Sequence, residues 1–301
     1  MKNNGIYQRA AGIICLALML FTSGGLMQNY GAPYKIPSHV LPTDSLPGKY
    51  SPCDSFLICP GEDLLYEVSY AGIKLGRIRL TTFPTDTING ETRYHATGFV
   101  DSYEGIPFVD IHVIDSTDMN TSYYSEGFHA FENTDDGWIE ESSHYDLDRH
   151  TILIEKLFRK ELHSPSLADP KYDTVKNVDF DILDGLSMLY FARAHVRGGG
   201  RMNVSTVVYG KQGKTELIFT EERKLEEIDV LKQKKIRVVG LKGTAHFRGL
   251  YGMTGDFRGW FTDDVAAVPV KAELGLVIGN VNIELIWWRR HHWQLPLMPK
   301  K

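Results

Sequence analysis

The stretch WFTDDVAAVPVKAELGLVIGNVNIELIWW, from Trp260 to Trp288, decides the fold class. Apolar residues occupy alternate positions in two runs, namely Val268, Val270, Ala272 and Leu274, then Val281, Ile283, Leu285 and Trp287. Polar residues such as Lys271 and Glu284 take the opposite parity. Because successive side chains of a strand point to opposite faces, the pattern predicts two strands with one dry and one wet face.

Strand signals with turn residues between them recur along the rest of the chain. Alternation begins at Leu64 and runs to Tyr70, and the Ala71-Gly72 and Asn89-Gly90 pairs predict hairpin turns. Further strands are predicted at 109–113, 123–131, 138–145, 151–158, 204–209, 215–220 and 236–239. One segment differs: residues 184–196, DGLSMLYFARAHV, have helical spacing, with Asp184 as N-cap and glycines at 198–200 as a stop.

Many strands, one helix and no regular alternation of the two predict an all-β, mainly antiparallel fold. The most economical arrangement is a single strongly curved sheet that forms a closed or half-open barrel. Closure or coverage is expected because free sheet edges invite aggregation. Length alone would predict about two domains, but all-β barrels often run to about 200–250 residues as one unit.

The amino terminus indicates export from a bacterial cell to the periplasm or cell envelope. Lys2 and Arg9 precede a short apolar run, which is typical of a signal peptide at residues 1–26, either cleaved or retained as an anchor. The run is too short for a comfortable membrane span of about 20 residues. A Pro-rich arm is predicted at 27–60, a single β-barrel-like domain at 61–288 and a basic C-terminal tail at 289–301.

Two cysteines, Cys53 and Cys59, lie close together in the arm. In an oxidising compartment such a lone pair predicts a structural disulfide that closes a small loop. A metal site would need two more ligands, and the C-x-x-C redox spacing is absent.

Three segments carry a resemblance to a known family. They are GEDLLYEVSYAGIKLGRIRL from Gly61, DILDGLSMLYFARAH from Asp181 and GWFTDDVAAVPVKAELGLVIGNVNIEL from Gly259. Together they resemble the bacterial family called domain of unknown function 3108, from its Gly-Glu-x-Leu-x-Tyr opening to its closing Trp-x-x-Asp-Asp. The resemblance spans most of the body and implies an exported, mostly β envelope protein. The family has no established activity, so the resemblance implies no mechanism.

The helix start offers two candidate site residues, Ser187 and Asp184. Ser187 lies in a segment similar to the G-x-S-x-G nucleophile elbow, but Leu189 replaces the second glycine that the tight turn needs. The aspartates before the helix lack the EF-hand calcium spacing. Helix capping accounts for Ser187 and Asp184 at least as well. Neither a metal nor a cofactor is expected.

Asp263 and Asp264 form the most suggestive carboxylate pair, with Arg258 and Trp260 just before them. Adjacent residues of a strand point to opposite faces, so the two acids would act together only if a turn brought them together. A turn in which the Asp side chains bond the local backbone is the favoured interpretation.

The end of the last strand combines basic and aromatic residues in WWRRHHW, namely Trp287, Trp288, Arg289, Arg290 and Trp293 with two histidines. This mixture suits a membrane surface, and it equally suits a strand that ends in a solvated tail. The formal net charge of −5 gives no electrostatic case for nucleic acid.

Three functions remain open. The preferred one is a non-enzymatic binding or carrier module for an apolar, lipid-like ligand, because the apolar face is more extensive than one helix would cover. The second is a structural or interaction protein of the envelope. The third is a hydrolase of envelope polymers that acts through Asp263 or Asp264. No residue is assigned as catalytic.

Overall fold

A computed structural model describes residues 57–88, 90–106, 110–146, 148–208, 210–231, 234–246 and 253–297. The predicted signal peptide and nearly all of the arm lie outside these ranges. Cys59 is buried, but Cys53 lies outside the described residues, so the predicted disulfide stays a prediction. The same holds for Asn89 of the second predicted turn, although the strands on its two sides pair with each other.

Strands dominate the described part of the chain. In order, they are β1 (Asp63–Tyr70), β2 (Ile73–Thr82), β3 (Asp86–Ile88), β4 (Glu91–Ser102), β5 (His112–Met119), β6 (Ser125–Thr134), β7 (Gly137–Asp146), β8 (Thr151–Arg159), β9 (Lys171–Lys176), β10 (Ile182–Leu183), β11 (Gly200–Val208), β12 (Lys211–Glu227), β13 (Lys235–Ala245), β14 (Met253–Thr262), β15 (Pro269–Leu276) and β16 (Asn280–Arg289). Helix α1 (Gly185–His195) separates β10 from β11, and a 3-10 turn (Asp229–Leu231) separates β12 from β13.

All these strands belong to one continuous path except β3, which pairs only with β4. The path runs β10-β11-β12-β13-β14-β15-β16-β1-β2-β4-β5-β6-β7-β8-β9. Its pairs are antiparallel apart from β10–β11, which is parallel. The mostly antiparallel all-β prediction is therefore confirmed. The described strands do not close the barrel by hydrogen bonds, because β9 and β10 form the two ends of the path.

Apolar side chains bridge this open seam instead. Ile152 and Ile154 of β8 share a buried cluster with Ile182 of β10 and Val207 of β11. Val178, from the connection between β9 and β10, completes the cluster. The two ends of the sheet are thus held together by side-chain packing, which is less directional than a strand ladder.

The stretch that predicted the fold class forms β14 to β16. The expected hairpin is present, with Leu274 opposite Val281 and Ala272 opposite Ile283. Its second strand, β16, also pairs along the whole length of β1. The last strand of the body therefore joins the first, which places residues from the two ends of the domain side by side.

Helix α1 confirms the prediction for residues 184–196. Asp184 is its N-cap and Val196 its C-cap. The helix packs within the curve of the sheet: Leu186 and Tyr190 belong to the largest core cluster, whereas Phe191 and Ala192 pack in a second cluster with β12 to β14. The helix thus covers part of the apolar inner face of the sheet.

The observed strands differ most from the predicted ones where the sequence is polar. β9, with sequence KYDTVK, is exposed along nearly its whole length and has no apolar face that would predict a strand. β12 continues to Glu227, beyond the predicted end at 220, and its pairing with β13 shifts register between Phe219 and Arg223. Backbone pairing, not apolar alternation, extends these strands.

Candidate functional site

Asp184 and Ser187 form a buried capping network at the start of α1. One carboxylate oxygen, Oδ1 of Asp184, accepts from the backbone N–H groups of Leu186 and Ser187, each at 2.8 Å. Its Oδ2 accepts from the hydroxyls of Thr117 at 2.6 Å and Ser125 at 2.7 Å. The Ser187 hydroxyl accepts from the Asp184 N–H at 2.9 Å, which completes a capping box. The capping interpretation therefore accounts for both residues.

Asp263 and Asp264 are engaged with different partners. Asp263 lies 3.1 Å from the Nε of Arg223 and 3.8 Å from that of Arg197. Asp264 Oδ1 accepts from the Thr262 hydroxyl and the Ala267 N–H, as the turn interpretation predicts.

The other candidates near this turn are separate from the pair. Arg258 is exposed, and within the described residues no hydrogen bond or ion pair joins it to Asp263 or Asp264. Trp260 lies beneath two lysines, with Lys224 Nζ 4.5 Å and Lys271 Nζ 5.7 Å from its ring centroid. These are cation–π contacts of a covered strand. The structure does not assemble the four residues into one site.

The basic and aromatic run at the end of β16 is mostly folded into the body. Arg290 is only 5% exposed and pairs with Glu62, so its prediction as a membrane-surface residue is wrong. Trp293 donates its Nε1–H to Asp264 Oδ2 at 2.7 Å, and Arg289 lies 3.4 Å from Asp63. Trp288 packs against the core, which leaves Trp287 as the exposed member.

The predicted solvated tail also packs back onto the domain. Leu295 is buried in the main core cluster, and Leu297 forms an isolated bridge with Ile236. The described part of residues 289–301 is therefore a closing segment of the fold.

Glu62, Arg193 and Arg290 form a buried charge cluster that the sequence did not reveal. Glu62 Oε1 lies 2.6 Å from Nη1 of Arg193, and Glu62 Oε2 accepts from Arg290 Nη1. Arg193 Nη2 also donates to the carbonyl oxygen of Ala266 at 3.0 Å. Despite the cost of burial, the two guanidinium groups hold the pKa of Glu62 below its usual value.

A second buried polar group lies on the sheet face that meets the start of α1. In the register of β5, β6 and β7, Asp115 is opposite Ala130, and Ala130 is opposite Glu141. Glu132 lies two residues along from Ala130 and therefore on the same face. We call Asp115, Glu132, Glu141 and the capping residue Asp184 the acid chamber. All four are buried.

The carboxylates of the acid chamber differ in whether they have partners. Glu141 lies 2.8 Å from Lys156 Nζ, and Asp184 has the four bonds described above. Asp115 is 1% exposed, and neither of its oxygens has a hydrogen-bond partner within the described residues. Glu132 Oε2 also has no hydrogen-bond partner within the described residues. A buried acceptor without a donor costs free energy, so Asp115 and Glu132 are unusual for a folded core.

Three carboxyl groups of the chamber, those of Asp115, Glu132 and Asp184, have raised pKa values, which favours their protonated forms. Burial, reinforced by the negative charges of Asp184, Glu132 and Glu141, raises the pKa of Asp115 well above its usual value. Burial and the nearby Glu141 raise the pKa of Glu132 to about 8. The pKa of Asp184 is also raised by burial, although its hydrogen bonds oppose the shift. Perturbed carboxyl groups of this kind cluster at functional sites.

Sequence reasoning named only Asp184 among the members of the acid chamber, because the four residues come from separate segments of the chain. One signal was present: Asp115 has the same parity in β5 as the apolar residues Val113 and Met119. A charged residue on the apolar parity of a strand predicts a buried charge. The described residues contain no group of three or more His, Cys, Asp or Glu arranged to hold a metal ion.

Comparison with known protein families confirms the family resemblance that the sequence showed. A bacterial protein family of unknown function, DUF3108, matches residues 65–286. The chain belongs to the DUF3108 family. The match covers β1 to β16 almost completely and so corresponds to the whole curved sheet of this DUF3108 protein. No curated protein matches the chain.

Solved structures similar to this DUF3108 protein have low sequence identity. A β-barrel-like protein of the DUF1849 family from Brucella abortus has 8% identity, covers 78% of this chain and 100% of its own, and gives a TM-score of 0.49. A Parabacteroides distasonis protein, provisionally named a lipoprotein, has 6% identity, covers 78% and 97%, and gives 0.27. A provisionally named exported protein from Bacteroides fragilis with a YmcC-like fold has 6% identity, covers 78% and 98%, and gives 0.30.

None of the described helices has the length and apolar character needed to cross a membrane.

Proposed function

We propose that this DUF3108 protein is a non-enzymatic binding module of the bacterial cell envelope whose acid chamber holds the positively charged head of an amphiphilic ligand. The observation that carries the proposal is Asp115, a buried carboxyl group with neither oxygen hydrogen-bonded in the described structure. The envelope location rests on the export signal predicted at residues 1–26.

A protonated amine is the ligand group that best complements these side chains. An ionised carboxylate in a low-dielectric interior needs a positive partner and hydrogen-bond donors. An ammonium group supplies one positive charge and three N–H donors. It would satisfy Asp115 and Glu132 together, whereas a carboxylate head would add another negative charge to four acidic residues.

The walls beside the chamber favour an apolar remainder of the ligand. Val113 and Met119 are buried on the same face of β5 as Asp115, and Leu186 packs near them from α1. This narrows the apolar ligand predicted from the sequence to an amphiphile, with its charged end among the carboxyl groups. Part of the apolar face is already occupied by α1, so the tail is expected to be a single chain.

The open seam is the proposed route to the acid chamber. β10 contributes only two residues to the sheet, and the seam is held by packing of Ile154 in β8 against Ile182 in β10 and Val207 in β11. Separating these side chains breaks no strand ladder, so a ligand would enter here at lower cost than between two paired strands.

The experiment that tests this function compares head groups and tails. Isothermal titration calorimetry at pH 8 would measure the binding of dodecylammonium, dodecanol, dodecanoate and butylammonium to the purified protein. We expect dodecylammonium to bind at least tenfold more tightly than each of the other three. Equal binding of dodecanol would show that the head group is not recognised, and tighter binding of dodecanoate would contradict the proposal.

A matched pair of variants assigns the binding to the chamber. Asp115→Asn removes the ionisable carboxyl group with little change in shape, whereas Asp118→Asn changes an aspartate of opposite parity in the same strand, which contacts His95. We expect a tenfold or greater loss of dodecylammonium affinity in the first variant alone. Equal losses in both variants, or binding of Ca²⁺ that excludes dodecylammonium from the wild type, would overturn the assignment.

The hydrolase alternative gains no support from the geometry. Asp263 is paired with arginines, and Asp264 is occupied by the local turn and Trp293. Each carboxylate therefore has a structural role, and neither is positioned by the other.

A further inference from the structure

Two neighbouring hairpin turns place three large aliphatic side chains in solvent at one end of the sheet. Ile73 follows the β1–β2 turn and is 59% exposed, whereas Val277 and Ile278 form the β15–β16 turn and are 74% and 68% exposed. We call these three residues the hairpin tips. Because β1 pairs with β16 and Tyr70 lies opposite Val281, the two turns emerge side by side.

The β15–β16 turn is held by hydrogen bonds that do not involve its apolar side chains. Leu276 donates its N–H to the carbonyl oxygen of Gly279 at 3.0 Å, and Gly279 adopts a φ of 76°. The Tyr70 hydroxyl donates to the carbonyl oxygen of Ile278 at 2.9 Å. Three-residue hairpin loops with glycine in the left-handed region are common and are usually polar. Backbone geometry therefore does not explain Val277 and Ile278.

We propose that the hairpin tips insert into the surface of a lipid bilayer. Aliphatic side chains at the apex of a turn reach the acyl-chain boundary without burying the paired backbone of their strands. Three side chains are far too few for a stable protein interface, which needs about 20–30 residues a side, so a second copy of this chain is a poorer occupant.

The charges near the tips indicate insertion driven by apolar contact. Lys74, next to Ile73, is already paired with Glu67 at 2.5 Å, and the chain carries a formal net charge of −5. Binding to zwitterionic phosphatidylcholine and phosphatidylethanolamine bilayers, which carry no net charge, is therefore expected, with little dependence on salt.

The proposal is tested by hydrogen–deuterium exchange of the full chain with and without vesicles of these two zwitterionic lipids. We expect the amides of Val277 and Ile278 to exchange at least fivefold more slowly with vesicles present. The readout is local, so any attachment through residues 1–26 does not produce it. Because the measured amides lie in the β15–β16 turn and outside the acid chamber, this readout is separate from any binding of the lipid ammonium groups by the chamber.

Two variants control the measurement. Val277→Ser with Ile278→Ser should abolish the vesicle-dependent protection, whereas Val265→Ser, at an exposed valine in the β14–β15 connection, should leave it unchanged. Circular dichroism checks that both proteins fold. Protection that is absent in the wild type, persists in the double variant, or appears without vesicles as the protein concentration rises would overturn the proposal. The last result would assign the tips to self-association.

Discussion

Glu62 and Arg193 form an ion pair in which both side chains are buried, with Oε1 and Nη1 2.6 Å apart. Glu62 lies immediately before β1, Arg193 lies near the end of α1, and Arg290 joins them from the end of β16. One carboxylate therefore links the only helix of the described domain to the point where the first and last strands meet. Removing one charged group from such a cluster would leave the others buried without their full charge balance.

Replacing one member of this cluster should cost far more stability than breaking a surface pair. Arg193→Met leaves Glu62 with one of its two arginine partners, and we expect a loss of about 3–5 kcal/mol in the free energy of unfolding. Arg197→Met, which removes an exposed arginine 3.8 Å from Asp263, should cost about 0–1 kcal/mol. Urea unfolding followed by circular dichroism measures both, and equal losses would contradict the structural role of the cluster.

The cap of α1 should be similarly sensitive. Asp184→Ala removes the acceptor for two backbone N–H groups and for the hydroxyls of Thr117 and Ser125, so we expect a loss of about 2–4 kcal/mol. Thr117→Val removes one of these hydroxyls and should cost less, about 1 kcal/mol. Thermal and urea unfolding measure the stability of the two variants. A larger loss in Thr117→Val than in Asp184→Ala would contradict the capping network.

Stability should fall as the pH rises from about 5 to 8. The pKa of Glu132 is raised to about 8 in the folded protein, and that of Asp115 is also raised. Both groups have pKa values near 4 when unfolded, so in this window the folded state binds more protons and loses stability as they dissociate. His112, whose pKa is raised by hydrogen bonds and charge interactions with Asp101 and Asp110, contributes with the same sign.

The contribution of the acid chamber can be separated from that of His112. Glu132→Gln cannot titrate, so its urea midpoint should decline less between pH 5 and 8 than that of the wild type. Glu140→Gln, which changes the neighbouring outward carboxylate of β7, serves as the control because the pKa of Glu140 is lowered. A wild-type midpoint that rises with pH across this window would contradict the raised pKa values.

In the β1–β2 turn, Ala71 has a backbone conformation that is unfavourable for alanine. Ala71 has a φ of 49° and Gly72 a φ of 81°, which is the conformation of a type I′ turn. Asparagine tolerates this conformation better than alanine, so Ala71→Asn should raise the free energy of unfolding by about 0.5–1 kcal/mol. Ala71→Val should lower it. Differential scanning calorimetry of the wild type and the two variants checks this order of stability. A destabilised Ala71→Asn protein would show that backbone strain at residue 71 does not limit the stability of the turn.

The sequence predicted the fold wherever one face of an element is apolar. Alternation from Val268 onward predicted β15 and β16, and helical spacing after Asp184 predicted α1. It did not predict β9, because KYDTVK has no buried face. The order of the strand path and the position of the open seam follow from pairing between distant segments, which local patterns do not encode.

The candidate sites follow the same division. The local interpretations of Asp184, Ser187 and Asp264 as capping and turn residues are confirmed, because their partners lie within a few residues. The acid chamber and the Glu62 cluster join side chains that are tens to hundreds of residues apart. Each leaves only a weak trace in the sequence, such as a charged residue on an apolar parity at Asp115 or Arg193, one turn after Tyr190, on the helix face that packs into the core.

The measurement that tests the central claim most directly is a ¹³C NMR titration of the Asp115 carboxyl group, with and without dodecylammonium. The proposed function predicts a pKa well above 4 in the free protein, because the group is buried without a partner, and a marked fall in this pKa when the ammonium group binds. A pKa near 4 in the free protein, or a raised pKa that dodecylammonium leaves unchanged, would contradict the assignment of the acid chamber as the binding site.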